Sequence, residues 1–363
     1  MNGTRLHGPV RIVGAGLLGA SAGLALSQRG IDVAIHDISP AAVALAIDYG
    51  AGRRATDADR PTLVIVAVPP DQTAHVIAAE LSAYPEALVT DVASVKALPL
   101  AELEATGADT SRYLGSHPLA GRERGGVVSA RADLFLGRPW VITSRPGTTA
   151  AQVGVIEDLV LDLGAVPVHL SVEEHDRAVA LVSHAPQVIA TVLAAELVTG
   201  SERALSLSGQ GLRDTTRIAA SEPELWTQIL AANSAEVSAV LHGVRDRLDE
   251  VIGALDDPQA SGARRRIAES LSAGNAGVAR IPGKHGQDRK FSQLVVMVDD
   301  TPGELARLLT EIGEIGVNLE DVRLEHSPGA QIGLAEISVL PEVEQKLLEE
   351  LEARNWRIAG AWT

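Results

Sequence analysis

Short apolar runs alternate with amphipathic stretches over residues 9–170, and this alternation predicts the first part of the fold. Val10-Arg11-Ile12-Val13 reads as a buried strand, residues 14–28 as a helix, and Val33-Ala34-Ile35 as a second strand. Ser39-Pro40 marks a helix start, a hydroxyl N-cap followed by a proline whose missing N–H costs nothing there. Residues 63–68 form another β-branched run closed by Pro69-Pro70, and residues 87–91, 113–116, 140–143 and 166–170 read as further strands. Strands alternating with helices predict an α/β domain over residues 1–170, built on a doubly wound parallel sheet.

Beyond residue 170 the strand signal stops. Residues 171–282 carry helical periodicity almost throughout, with long Ala/Leu/Val stretches such as 178–198, and read as an all-helical domain. Apolar helices with so little polar relief bury against something, here a second subunit, so a homodimer is expected. Residues 273–288, rich in Gly, Asn and Pro, read as a linker. From 290 to 363 the order becomes βαββαβ, the split-βαβ or ferredoxin-like layout. No internal repeat or low-complexity tract is present.

Composition narrows the function classes. A chain of 363 residues suits two or three domains, and 46% hydrophobic residues exclude disorder. No run of eighteen apolar residues occurs, so no membrane span is expected, and residues 1–10 lack a signal pattern, which makes a cytoplasmic location the expectation. Cysteine is absent, which removes disulfides, thiolate catalysis and Cys-based zinc sites, and no metal is expected. The net charge of −16 opposes nucleic-acid binding, and the one basic cluster, Arg264-Arg265-Arg266, is short.

The candidate chemistry begins at Gly14-Ala15-Gly16-Leu17-Leu18-Gly19, between the first strand and its helix. Gly14 allows the tight turn, Gly16 lets backbone approach a pyrophosphate, and Gly19 permits close helix–strand packing, a Rossmann-type fingerprint. The pyrophosphate would rest on free N–H groups of Leu17 and Leu18 at the helix start. Asp37, eighteen residues after Gly19, ends the second strand, where its carboxylate would accept hydrogen bonds from ribose hydroxyls and repel a 2′-phosphate, which points to NAD. Val68 and Pro69 end the strand expected beside the nicotinamide half. The Thr90-Asp91-Val92-Ala93-Ser94-Val95-Lys96 segment and Gly115-Ser116-His117-Pro118-Leu119-Ala120-Gly121-Arg122-Glu123 both follow strand ends, the edge where open α/β sheets bind ligands. His117, just past its strand and fixed between Pro and Gly, is the candidate acid/base.

Through GAGLLG, DVASVK, GSHPLAG, VSHAPQ and TRIAASEPELW, residues 10–281 resemble the prephenate/arogenate dehydrogenase family of tyrosine biosynthesis. The resemblance implies NAD-dependent oxidative decarboxylation of prephenate to 4-hydroxyphenylpyruvate. His117 matches the base that takes the proton of the C4 hydroxyl, and Ser94 the serine between that histidine and the nicotinamide, where it would orient the imidazole. Arg217 matches the arginine that grips a substrate carboxylate, Glu123 a gate residue paired with it, and Trp226 an apolar wall. His184 matches a substrate-side histidine, whereas Gln187 stands where many members carry a second histidine, so it hydrogen-bonds without donating a catalytic proton. Pro186 inside this apolar helix predicts a kink. Arg122, Arg213 and Arg217 against Glu123 favour a dianionic substrate, prephenate over arogenate. The alternatives are arogenate dehydrogenase, and another β-hydroxyacid-type dehydrogenase. The Lys version of the latter is opposed by the absence of Lys from residues 172–271.

Residues 298–305 and 316–319 resemble an ACT domain, the amino-acid-sensing module. That resemblance implies an effector site in which the turn Thr301-Pro302-Gly303 bends the chain from strand to helix and leaves free N–H groups facing outward for a carboxylate, while the Asn318 side-chain carbonyl meets the ammonium. Tyrosine is the expected effector.

Overall fold

The computed structural model describes residues 4–121, 125–281, 291–326 and 332–362. The first half runs β1 (Val10–Val13), α1 (Leu17–Gln28), β2 (Val33–His36), α2 (Pro40–Asp48), β3 (Arg53–Arg54), β4 (Leu63–Val66), α3 (Pro70–Ala83), β5 (Leu88–Asp91), α4 (Ala97–Ala105), β6 (Gly115–Pro118), β7 (Pro139–Thr143), α5 (Ala150–Asp162) and β8 (Val166–Leu170). Helices follow: α6 (Val172–Val179), a π-turn (Ala180–His184), α7 (Ala185–Glu196), α8 (Glu202–Leu205), α9 (Gln210–Thr216), α10 (Pro223–Ala232), α11 (Ser234–Asp256) and α12 (Ala263–Val278). The last part is β9 (Ser292–Asp299), α13 (Glu304–Ile315), β10 (Asp321–His326), β11 (Ile332–Val339), α14 (Pro341–Ala353) and β12 (Arg357–Trp362). By compactness these residues form two units, Met1–Val198 with Thr216–Val244, and Thr199–Thr215 with Arg245–Thr363.

The first unit is built on a parallel sheet of order β3-β2-β1-β4-β5. Successive strand residues point to opposite faces, so Ile12, Ile35, Leu63 and Ile65 bury on one side while Val13, Val64, Val66 and Val89 bury on the other. Arg11, facing the second side, is buried only because Glu80 of α3 meets it at 2.8 Å. A bridge between Val89 and Tyr113 extends the platform to a second sheet, β6-β7-β8. There the expectation of an all-parallel sheet fails: β6 and β7 are antiparallel. The described part of the intervening segment contains only a 3₁₀ turn, Val127–Ser129, and without a helical crossover the chain returns antiparallel. Strand β6 also extends further than expected, through Pro118, so His117 lies within the strand one residue from its end rather than past it.

Pro186 does not break the helix between Val172 and Thr199. The π-turn at Ala180–His184 widens the spiral just ahead of it, and Pro186 then occupies the first turn of α7, where no N–H is needed. This 28-residue helix reaches a mean hydropathy of 1.7, long and apolar enough to cross a membrane by length and composition, although no uninterrupted apolar run announced it. It carries buried His175, Asp176 and His184, as a core helix does, and exposes Leu181, Val182, Val192 and Val198.

In the second unit, α12 continues through Gly274 and Gly277 to Val278, so residues 273–278 are helical rather than linker. Each residue added to an existing helix contributes a hydrogen bond, such as Ala279 N–H to Asn275 C=O at 3.0 Å, which carries weak formers along. The four strands among the last six elements form an antiparallel sheet, β10-β11-β9-β12. Leu308 and Ile312 of α13 and Leu347 and Leu351 of α14 pack into one core with Leu294, Val296 and Ile337 of that sheet.

Candidate active site

The β1–α1 turn is shaped by its three glycines as their positions predict. Gly14 has φ +103°, and a Cβ there would lie 2.2 Å from the Ala67 carbonyl oxygen. A Cβ on Gly19 would sit 1.9 Å from the Gly14 carbonyl oxygen, whereas one on Gly16 would meet nothing within 4 Å. The close contacts force two glycines for packing; the open space over Gly16 is where a ligand can approach backbone. Gly16 caps α1 without a side-chain bond, which leaves the first amides, at Leu17 and Leu18, for an anion. Asp37, just past β2, holds the turn itself: its carboxylate accepts from Ala15 N–H at 2.7 Å and from Ser39 N–H at 2.8 Å. Each oxygen keeps a lone pair for a ribose hydroxyl. Val68 and Pro69 follow β4 on the same sheet edge, with Pro69 at the N-cap of α3. This cradle fits a dinucleotide.

Strand β6 runs parallel to β5 and ends on that edge with His117. Its Nδ1 lies 2.9 Å from Nε2 of His175, whose Nδ1 lies 2.7 Å from Asp176 Oδ1. His175 therefore occupies Nδ1 of the imidazole, and no hydrogen bond joins Ser94 to that ring among the described residues. Ser94 sits half-buried in the β5–α4 loop. The Asp176 carboxylate also accepts the backbone N–H groups of Lys96 and Ala97, both at 2.8 Å, and so caps α4 from a distant helix. Nε2 of His117 makes no hydrogen bond among the described residues.

Beneath this line Lys96 is fully buried, its ammonium on the Asp91 carboxylate and, at 2.8 Å, on the Ser116 carbonyl. Tyr113 donates to Asp91 at 2.6 Å. Burial pushes the His117 imidazole well below the usual histidine range, and His175, Lys96 and His184 push the same way. Burial also lowers His175, against the opposing pull of Asp176. For Asp176 burial works upward, but His175 and the two α4 amides outweigh it and hold the carboxyl low. His117 is thus a neutral imidazole at pH 7, the state a base requires.

On the helical side His184 is buried, with Asn233 Nδ2 3.2 Å from its Nδ1 and the Trp226 ring edge-on at 6.0 Å. Burial drives His184 down to about 4. Asn233 also donates to the Asp176 carbonyl at 2.8 Å, tying α6 to the start of α11. Gln187 and Trp226 share an apolar cavity of about 260 Å³ with Thr191, Pro223 and Leu230. Arg217, in a 3₁₀ turn (Arg217–Ala219), lines a cleft of about 560 Å³ with Leu119, Ala120, Gly121, Arg131, Asp133 and Arg138. Arg217 therefore opens onto the loop that follows His117. Arg122 and Glu123 lie outside the described residues, and Arg213 belongs to the other compact unit.

In the second unit Gly303 has φ +97° and leaves α13 without a side-chain cap, whereas the Thr301 N–H is not free as expected: it folds back to Asp299 C=O at 2.8 Å and closes the turn. Pro302 completes that turn, and Asn318 Nδ2 donates to Glu320 at 3.2 Å.

Sequence reasoning missed His175, Asp176, Asn233 and the burial of Lys96. One signal was readable for the first two. Ser171 and Glu174 form a capping box that fixes the start of α6 directly after the last strand, so His175 and Asp176 stand in its first two turns facing the sheet edge.

A family model described as prephenate dehydrogenase, nucleotide-binding domain, matches residues 22–169, and one described as prephenate dehydrogenase, dimerization domain, matches residues 171–270. The chain is 36% identical over 358 residues to NovF of Streptomyces niveus, a probable prephenate dehydrogenase, covering 95% of this chain and 98% of that one. It is 27% identical to the prephenate dehydrogenase of Bacillus subtilis over 95% and 96% of the two chains. The crystal structure of prephenate dehydrogenase from Aquifex aeolicus, in complex with hydroxyphenyl propionate and NAD+, aligns at a TM-score of 0.66 with 25% identity, over 75% of this chain and 98% of that one. Arogenate dehydrogenase of Synechocystis aligns at 0.60, also with 25% identity, over 74% and 99%.

Proposed function

The chain belongs to the prephenate dehydrogenase family, and we propose that it converts prephenate to 4-hydroxyphenylpyruvate and CO2 with NAD as hydride acceptor. The observation that carries this reading is the buried, neutral His117, its Nε2 uncommitted, at the sheet edge that also holds the glycine cradle. Bound NAD would accept the hydride from C4 of the substrate.

His117 takes the proton of the C4 hydroxyl as that hydride leaves, which turns the hydroxyl into a carbonyl. The ring carboxylate departs as CO2, and its bonding electrons complete the aromatic ring. His117 then returns its proton to the phenolate oxygen, so no net proton is released. Arg217 grips a substrate carboxylate, most simply with its planar fork. Gln187 and Trp226 wall the ring side, and His184, neutral, contributes shape and one N–H. Among the described residues that line this cleft, Arg131, Arg138 and Arg217 outnumber Asp133, which Arg131 pairs at 2.7 Å, and that excess of positive charge supports a dianion such as prephenate over arogenate. NADH formation from prephenate and NAD, followed at 340 nm, is the direct test; turnover confined to arogenate would favour the arogenate reading.

Asp37 underlies the preference for NAD. Like charges brought together cost several kcal/mol, so kcat/KM with NAD should exceed that with NADP by about a hundredfold or more, and Asp37→Ala should narrow the gap at least about tenfold. Comparable use of NADP by the wild type, or an unaltered preference in the variant, contradicts this.

The cytoplasm is the proposed location and a homodimer the proposed state, the latter supported by the apolar residues exposed along the π-turn and α7, such as Leu181, Val182 and Val192, within the region matched by the dimerization model. The C-terminal βαββαβ module is proposed as an ACT-like domain that takes tyrosine at Thr301, Pro302, Gly303 and Asn318. Removing residues 291–363 should leave a foldable, active core whose response to tyrosine is changed, and the effector need favour one domain arrangement by only about 1–3 kcal/mol. Inhibition curves that coincide for full-length and truncated chains would place the effector at the active site.

A further inference from the structure

We propose that His175 and Asp176 are positioning residues that set which nitrogen of His117 carries the proton, leaving the lone pair on Nε2 for the substrate hydroxyl. This rests on the reading of His117 as the base. Asp176 is an acceptor, since two backbone N–H groups already donate to it at 2.8 Å, so the contact at 2.7 Å requires N–H on His175 Nδ1. A neutral His175 then has its lone pair on Nε2, and the 2.9 Å contact requires N–H on His117 Nδ1. One tautomer remains for a neutral His117, with Nε2 bare. The opposite choice would set two lone pairs against each other in a site where His175 is 0% and His117 9% exposed, a burial that makes such a mismatch costly.

The groups that face this line keep it in register. Lys96, between β5 and α4, fixes the Ser116 carbonyl beside His117, and Asp91 of β5 holds that ammonium. His184 in the π-turn and Asn233 at the start of α11 anchor the helix that carries His175. When Nε2 takes the substrate proton, the bond from His117 to His175 becomes charge-assisted while its geometry stays the same. The proton never leaves His117 until it returns to product. The arrangement therefore orients a base without being a proton wire.

The test combines tautomer and turnover. With histidine labelled at both ring nitrogens, and the His117 signals assigned by their loss in His117→Asn, NMR of the free enzyme should show a protonated Nδ1 and a bare Nε2. His175→Phe removes the contact while keeping a buried ring, and leaves the Asp176 caps on α4 intact. It should shift the His117 nitrogens toward the other tautomer or a mixture, and lower kcat with prephenate by roughly a hundredfold or more, with KM for NAD nearly unchanged. His175→Gln, which can both donate and accept, should recover part of the rate, and it carries the same two measurements should the Phe variant not fold. A wild-type His117 protonated on Nε2, or an unchanged tautomer and kcat in the variants, overturns the proposal. Failure of the wild type to turn over prephenate would instead overturn the functional reading, and the tautomer would still be read from the free enzyme.

Discussion

Replacing His117 by Asn should lower kcat for prephenate by roughly 10²- to 10⁴-fold, the range a positioned base contributes, while NAD binding measured by fluorescence or calorimetry stays nearly unchanged. Asn keeps a polar side chain at the end of β6 but has no lone pair basic enough to take the hydroxyl proton. The same residue sets the acid limb of the wild-type profile. Because burial holds the imidazole well below its ordinary value, log kcat/KM should stay flat from pH 8 down through 6.5 and fall only at lower pH, where the protonated ring can no longer accept. Stability shares the sign. His117, His175 and His184 all have depressed values in the folded chain, so below about 6.5 the unfolded chain binds protons that the folded chain refuses. Stability is therefore lost as pH falls through that window. A profile with a midpoint above 6.5 that vanishes in His117→Asn would show the base in a more polar setting than its burial implies.

Arg217→Ala carries the second large effect. A charge-assisted contact to a carboxylate contributes roughly 1.5–3 kcal/mol, so the Michaelis constant for prephenate should rise about 10- to 100-fold. That for NAD should hardly move, since the arginine lines the cleft beside the loop after β6 and not the glycine cradle. A Lys in its place should recover only part of the loss, because a point charge cannot make the forked contact. Equal Michaelis constants for prephenate in wild type and variant would remove Arg217 from the substrate site.

The cofactor half of the site was legible in the sequence because each of its glycines answers to local backbone geometry. Gly14 needs a positive φ, Gly19 leaves no room for a Cβ, and Gly16 faces open space, three demands contained within six residues. His117 was legible for a related reason, since Pro and Gly on either side and a strand before it place it at the ligand edge. Its orienting partner was not, because His175 lies 58 residues away and the contact depends on how α6 docks on the sheet. Lys96 reads as a solvated charge until Asp91 and Ser116 are seen to surround it. The antiparallel β7 and the helical residues 273–278 escaped for another reason: both depend on what neighbouring segments allow, a missing crossover helix in one case and an already propagating helix in the other.

One measurement bears most directly on the central claim: steady-state rates with prephenate and with arogenate, each paired with NAD and with NADP, on the purified full-length chain. Prephenate with NAD should be the best pair by kcat/KM, product should form with one NADH and one CO2 per turnover, and His117→Asn should lower this rate by roughly 10²- to 10⁴-fold. No turnover of either acid would contradict the claim outright, and arogenate preferred by a wide margin would show that the arginines of the cleft do not select the dianion.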